Sequence, residues 1–586
     1  MLGDISPDEL AGIVKDRLGS PAMPYLHDEQ VRRRAVGLAA AQGFFEYSQR
    51  QLTPDEPIGV LPHSGFREFR RTGNRTNYER LTFWRSGQIQ LAAAACYLGL
   101  DYLTYLQDLL WAECESTWWT MPAHEDRAGP IDLRVAMCGF QYAQVVELLR
   151  DSMDPEIRQR VLSEVRRRVL DEYLDPRRTF WWKAFSNNWN AVCNGAVGLA
   201  SLLIEKDPGR LARTLTDVLE NLPYFLGGFA ADGGCTEGPS YWRYGFSWYA
   251  DFAAALYDFT AGRVNIIAGE RIATICRYPL AMWVRPGEDL SFADCHQGFL
   301  STALAVQINR FHDLPELFDL CRLSGDGSPG IASLSDLLLY DGRKHEPLAE
   351  GKDYHLPELG VVKLRRGDLT VGAKAGHNDE HHNHNDVGSF LVHRGSTFFL
   401  TDLGAPVYSR RTFSPRRYES IFCNSLGHSV PVIDGKQQGQ GRDFAGTLSV
   451  DGLNGQGTKT IHIEMAGAYG QPHLRRLTRV VELPPGGREV LLADTFVFAK
   501  RPESVAEAFM TTLPAEAAED GSSVTIRSEA DGAARLAAVQ TAGRFTIEEL
   551  REESAESRSG ELIRRIVFVP SRLAPEMALS FAVRFE

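Results

Sequence analysis

Five of the fifteen histidines fall between residues 377 and 393, in GHNDEHHNHNDVGSFLVH (376–393). Side chains alternate along an extended chain, so His382, His384 and Asp386 would share one face and His381, Asn383 and Asn385 the other. An HxHxD strand offers two imidazoles and a carboxylate, a donor set that zinc or manganese accepts. Asp402, after a strand-and-turn pattern, and His428, in NSLGHSVPVIDG, are placed to complete such a site after a chain reversal. Isolated histidines such as His124, His296 and His473 carry no comparable signal by themselves.

Three other segments carry polar chemistry among aromatics. TFWWKAFSNNWNAVCNGAVG (179–198) sets Asn187, Asn188 and Asn190 among Trp181, Trp182 and Trp189 where a helix should begin. A helix needs one N-cap, and asparagine serves well. Three asparagines beside a stacking ring also suit a sugar site. DGGCTEGPSYWRYG (232–245) contains Glu237 and places Tyr241 and Tyr244 on one helical face. Such tyrosines are ordinary core residues or, with a lowered pKa, proton-transfer groups. TWWTMPAHEDR (117–127) adds Trp118 and His124 as candidate sugar contacts. SRRTFSPRRYE (409–419) brings Arg410, Arg411, Arg416, Arg417 and Tyr418 close to the histidine region. It is either a solvated face or a fork for carboxylate and sulfate.

The elements that must position these groups change type along the chain. Before about residue 350, apolar residues recur at helical spacing, as in 89–113, 191–206 and 244–261. After it, short β-branched runs appear at 360–376, 389–404, 478–499 and 577–586, with PPGG (484–487) as a hairpin turn. The pattern predicts an all-α domain over 1–345 and an antiparallel sandwich over 346–586. At 586 residues, 44% hydrophobic and 24% charged, the chain is globular. Its net charge of −13 speaks against a general nucleic-acid or anionic-membrane binder. Nine scattered cysteines form no CxxC pair and no disulfide framework. No stretch is apolar enough to span a bilayer, and the N-terminus reads as an amphipathic helix without a signal peptide's apolar core. The sequence as it stands is expected in the cytoplasm; a removed signal peptide would make it periplasmic or secreted.

Together SNNW (186–189), EGPSYW (237–242), HNHND (382–386) with FFLTDLG (398–404), and GHSVPVIDG (427–435) resemble the heparinase II/III-like polysaccharide lyases. The resemblance implies an incomplete (α/α) toroid followed by an antiparallel β-sandwich. It implies cleavage of 4-linked uronate glycans by β-elimination, the substrate being an acidic polysaccharide such as heparan sulfate, chondroitin sulfate or hyaluronan. Residue by residue, it makes Asn188 the neutraliser of the uronate carboxylate, His382 a member of the catalytic centre, and Tyr241 or Tyr244 the proton-transfer residue. Asn187, Trp189, Glu237, Trp118, His124, Arg416 and Tyr418 become substrate contacts. His384, Asp402 and His428 become ligands of a structural divalent metal, zinc or manganese, with no organic cofactor. Some relatives carry a histidine next to the asparagine; Trp189 stands there in this chain. Alternatives are alginate or oligoalginate cleavage, uronate C5 epimerisation through the same proton abstraction, a metal-dependent hydrolase and a non-catalytic sugar binder. Monomer and homodimer both remain open.

Overall fold

A computed structural model describes residues 5–325, 328–343 and 351–586. The expected boundary at 345/346 lies outside the described residues. Contacts gather the chain into two compact units. One comprises Met1–Gly228, Tyr241–Ala273 and Phe299–Pro347; the other comprises Phe229–Ser240, Thr274–Gly298 and Leu348–Glu586. Two segments from the helical part of the sequence therefore belong with the strands.

The first unit is helical. The N-terminal pattern becomes the helix Pro7–Arg17, closed at its start by a reciprocal Ser6–Glu9 capping box. The apolar run 89–113 is divided between the helices Thr76–Tyr97 and Leu103–Glu115, which part at Gly99, where φ is +94°. The helices Asn188–Ile204 and Pro239–Phe259 pack at backbone distance. A Cβ added at Gly195 would stand 2.7 Å from the Trp248 carbonyl oxygen, so only glycine permits this approach. Further along, Gly198 accommodates the Phe252 ring. No described helix is long and apolar enough to cross a membrane.

The second unit is built from antiparallel sheets. A five-stranded sheet runs Tyr354–Leu356, Val361–Arg366, Leu369–Lys374, Phe390–Arg394 and Thr397–Leu400 in chain order. A nine-stranded sheet is centred on Leu474–Leu483, Glu489–Phe498 and Glu576–Phe585. Burial alternates residue by residue along Glu489–Phe498, as expected for a strand with one face in a core. The PPGG segment joins the paired strands Leu474–Leu483 and Glu489–Phe498. Val362, Phe390, Phe399, Ile461, Leu477, Phe509 and Phe581 lie in one continuous apolar core. The architecture is thus α followed by β, with antiparallel sheets around one apolar core in the second unit, in keeping with the toroid and sandwich that the resemblance implies.

At the heart of this unit Arg479 is fully buried. Its guanidinium pairs with Asp494 and Glu507 and donates to the carbonyls of Gly388 and Ser429. Those carbonyls belong to the end of the histidine segment and to the residue after His428. One cation thereby fixes two stretches of chain that carry candidate ligands.

Candidate functional site

The histidine segment is not the extended strand expected from its spacing. Strand pairing stops at Asn378 and resumes at Phe390, and turns fill the interval. His382 takes a left-handed conformation, with φ +57°, which abolishes the period-two alternation. The two imidazoles are brought together by Asp294, a residue that the sequence reading did not select.

Asp294 is fully buried and receives four donors. His382 Nδ1 lies 2.6 Å from Oδ2 and Tyr408 Oη 3.0 Å from the same oxygen. His384 Nε2 lies 2.9 Å and Arg417 Nη2 2.8 Å from Oδ1. Burial works to raise this carboxyl's pKa. The Arg417 charge and the two histidine hydrogen bonds outweigh it and hold Asp294 well below the usual carboxylate range. An ionised carboxylate only accepts, so His382 carries its proton on Nδ1 and His384 carries its proton on Nε2. His382 Nε2 lies 3.5 Å from Glu237 Oε1. Glu237 is itself buried.

The loop that presents Asp294 is pinned from several sides. Ser291 Oγ donates to the Asp402 carbonyl, Ala405 N–H donates to the Cys295 carbonyl, and Ser240 Oγ donates to the Asp294 carbonyl. Gly404, at φ +63°, passes so close to the Cys295 carbonyl that a Cβ would stand 2.6 Å from it. No spacing in SFADCHQG announces this role, because the first histidine partner of Asp294 lies 88 residues further along the chain.

Of the expected ligands, His384 and His428 come together, with ring centroids 5.2 Å apart. His428 Nδ1 lies 2.8 Å from Asp402 Oδ2 and Nε2 3.2 Å from the Phe422 carbonyl. The groups whose donor atoms converge within 4.8 Å are His384–Asp386–His428 and Asp294–His384–Cys423. Asp386 thus stands in the converging group where Asp402 was expected, and Asp402 stands behind His428. Burial pushes the Cys423 thiol up to about 12, which counts against its serving as a thiolate.

A cation fits the first group. Burial depresses the His384 imidazole's pKa and favours its neutral form, and with Nε2–H committed to Asp294 its Nδ1 is a bare lone pair. That Nδ1 is buried without a hydrogen-bond partner, and so is Asp386 Oδ2. Two orphaned acceptors in one cluster are what a metal ion satisfies. Lys374 already pairs with Asp386 Oδ1 at 2.7 Å, and a cation would compete with one of the hydrogen bonds of His428.

The arginine run divides. Arg417 enters the cluster through Asp294, whereas Arg416 pairs with Glu419 at the surface and Arg411 pairs with Glu556. Tyr418 accepts a hydrogen bond from Asn383 Nδ2 at 3.2 Å. Tyr408, also unselected by sequence, lies under the Arg558 guanidinium and against Phe413.

In the helical unit the three asparagines separate by role. Asn187 is the N-cap of Asn188–Ile204 and accepts from Trp189 N–H. Asn190 donates to the carbonyls of Lys183 and Asn221. Helix building thus accounts for two of the three, and Asn188 is buried beside Gly245. Trp189 is half-buried and packs against Trp181, centroids 5.1 Å apart, and against His124. Trp118 is stacked on Phe66 at 4.2 Å with the Arg67 guanidinium above it. Tyr241 is half-buried. The Tyr244 hydroxyl meets Met137 Sδ at 3.4 Å. Burial, reinforced by Cys193, Tyr241 and Asp132, pushes that hydroxyl well above its ordinary pKa, so a tyrosinate is disfavoured there.

Helices followed by antiparallel sheets are a fold that this chain shares with solved structures. Residues 350–568 match the model of the heparinase II/III-like C-terminal domain. Among solved structures, Heparinase III is 14% identical with a TM-score of 0.59, covering 97% of this chain and 92% of its own. Heparan sulfate lyase HepC from Pedobacter heparinus is 13% identical with a TM-score of 0.56, covering 99% and 87%. Chondroitin AC lyase from Streptomyces coelicolor is 12% identical with a TM-score of 0.51, covering 96% and 82%. No curated protein matches the chain.

Proposed function

We propose that the protein is a polysaccharide lyase that cleaves 4-linked uronate glycans by β-elimination. The observation that carries this reading is the orientation of His382. A buried carboxylate takes its Nδ1–H and turns Nε2 toward Glu237, so an oriented imidazole is presented beside an acidic side chain. The family match and the lyase activities named for the similar structures support the same reading.

In β-elimination a base removes the C5 proton, the C5–H electron pair becomes the C4–C5 double bond, and the C4–O bond breaks as the 4-oxygen takes up a proton. The C5 proton is weakly acidic because the neighbouring group is a carboxylate. A preorganised amide that stabilises the developing charge contributes roughly 3–4 kcal/mol. Asn188 is assigned that role on the resemblance of SNNW; Asn187 caps the helix and Asn190 donates to the carbonyls of Lys183 and Asn221. Tyr241 is assigned the proton delivery to the 4-oxygen in preference to Tyr244, whose hydroxyl is buried against Met137. His382 is assigned to the reacting uronate through Nε2. His384, Asp386 and His428 would hold zinc or manganese, which would supply a structural crosslink between the histidine loop and the segment at 428.

The substrate is a polyuronate or a glycosaminoglycan. Arg411, Arg416 and Arg417 are already in ion pairs, which removes most of the case for sulfate capture. This observation favours a second reading on substrate, an unsulfated chain such as hyaluronan or alginate. Ultraviolet absorbance during incubation with hyaluronan, chondroitin sulfate, heparan sulfate and alginate tests both. β-Elimination leaves a conjugated 4,5-unsaturated uronate, and hydrolysis leaves none. A rise that vanishes in Asn188→Ala and Tyr241→Phe supports the lyase. Flat traces with proton exchange at C5 would replace it with an epimerase.

A further inference from the structure

His124 stands against Trp189, the residue that follows Asn188. His124 precedes the short helix Glu125–Ala128, and its ring edge meets Trp189 with centroids 4.7 Å apart at 66°. Its Nδ1 lies 2.8 Å from Asp132 Oδ2. Asp132 is fully buried. It is the N-cap of the helix Leu133–Leu148, accepting from Val135 N–H through Oδ1, and it accepts from Met121 N–H through Oδ2. A carboxylate so placed is held by the backbone at both oxygens and can only accept from His124. The ring is therefore fixed with its proton on Nδ1. Its side chain is 14% exposed, and no hydrogen bond from the described residues reaches Nε2.

The cap at Asp132 is complete without the imidazole, and an edge contact on a half-buried tryptophan can be made by any ring. What the pair adds is an oriented nitrogen with a lone pair, against the residue that follows the asparagine assigned to the uronate carboxylate. An aspartate behind an imidazole is the usual means of fixing a histidine base.

We propose that His124 is a base of the elimination, taking the C5 proton on Nε2, and that Asp132 is the residue that positions it. The proposal rests on the β-elimination reading. The proton passes to Nε2, the C5–H pair forms the double bond, and the 4-oxygen departs with the proton of the tyrosine hydroxyl. The imidazolium returns that proton to the phenolate, through solvent, before the next turnover.

The test uses the full chain and whichever polymer the wild type cleaves. In His124→Ala, kcat falls by about 10²–10⁴-fold with KM within a few-fold of wild type. Added imidazole restores part of kcat in His124→Ala and none in His124→Gln, whose side chain fills the space. Asp132→Asn, which keeps the Oδ1 cap, lowers kcat in the same direction, and imidazole does not rescue it. Circular dichroism and thermal melting of each variant establish that it is folded. Overturning results are unchanged kcat in a folded His124→Ala, a change in KM alone, or equal rescue of both His124 variants. Wild-type chain that is flat on every polymer removes the elimination reading and this inference with it, whereas an active wild type with an indifferent His124 removes this inference alone.

Discussion

Asp294 Oδ2 lies 2.6 Å from His382 Nδ1, while Asp294 Oδ1 lies 2.9 Å from His384 Nε2, so one carboxylate fixes the tautomer of both imidazoles. The Nε2 of the first histidine then faces Glu237 at 3.5 Å, and the Nδ1 of the second is buried without a hydrogen-bond partner. Asp294→Asn places an amide –NH₂ where donors now point. The displaced imidazole loses its orientation, and a misplacement on the order of 1 Å costs about 10²-fold in rate. We expect kcat to fall by about that factor with a smaller change in KM. Arg417 also loses its buried counter-charge, so the melting temperature should fall too. Retention of full kcat by a folded Asp294→Asn would refute the positioning role.

The cation prediction separates two carboxylates. Asp386 converges with His384 and His428, whereas Asp402 holds His428 from behind. Asp386→Asn should remove a ligand and abolish stoichiometric metal, measured by elemental analysis of the purified chain. Asp402→Ala should weaken metal affinity by about 10–100-fold, the usual effect of losing an outer partner. It should also lower both melting temperature and activity. Chelation of the wild type should lower the melting temperature, and zinc should restore it. Unchanged stability and metal content in Asp402→Ala would contradict the crosslink.

What the sequence disclosed and what it concealed follow a physical division. Periodicity of three to four or of two residues is a local property, so the helices at Asn188–Ile204 and Pro239–Phe259 and the strand at Glu489–Phe498 are readable from it. The PPGG turn is equally local. The histidine loop carried a correct chemical signal and a misleading geometrical one. HxHxD suggested a strand face, but His382 adopts a left-handed φ and the real organiser is Asp294. A single aspartate has no pattern, and its role arises from the tertiary fold. Arg416 and Arg417 are adjacent and alike in sequence, yet one lies at the surface and the other in the cluster. Asn187, Asn188 and Asn190 could be divided only once the helix start and its carbonyl partners were known.

Packing beside Asn188 offers a third test. The helix Asn188–Ile204 touches its neighbour through Gly195, and a methyl group there would press on the Trp248 carbonyl oxygen from 2.7 Å. Backbone cannot swing aside as a long side chain can, so the helices must part. Overpacking of this kind costs about 1–3 kcal/mol. Gly195→Ala should lose stability in that range by urea denaturation. Activity should fall as well, because the shifted helix carries Asn188 at its start. A gain in stability, the usual result of Gly→Ala in an uncrowded helix, would show that the helices are not locked at this point.

Arg479 gives the strongest expected loss. Its guanidinium pairs with Asp494 and with Glu507 and ties the carbonyls of Gly388 and Ser429. Burial and the Asp494 charge push the Glu507 carboxyl well above its ordinary pKa. Arg479→Met would fill much of the same volume and leave two buried carboxyls without a cation. Breaking a buried pair in this way costs about 3–5 kcal/mol. The chain should be expressed poorly or melt far below wild type, and any folded fraction should have weakened metal binding because the two ligand-bearing segments are released. Wild-type stability in Arg479→Met would mean that Asp494, like Glu507, is held neutral.

Asp251 sets a pH dependence away from the site. Burial, with the nearby Asp336 charge adding to it, raises its carboxyl from 3.8 to about 7. A raised folded-state pKa means that the folded chain holds this proton more tightly than the unfolded chain. The stability it contributes is fully present below about pH 4 and is lost as pH rises toward and through 7. Asp251→Asn cannot ionise and should escape that loss. At pH 8 the variant should be more stable than wild type by up to about 4 kcal/mol, less where water reaches the carboxyl. At about pH 4.5 the difference should shrink to a small fraction of that. Urea denaturation of both proteins at the two pH values measures it. Equal stability at the higher pH, or an advantage that grows as pH falls, would show that Asp251 is ionised without penalty in the folded chain.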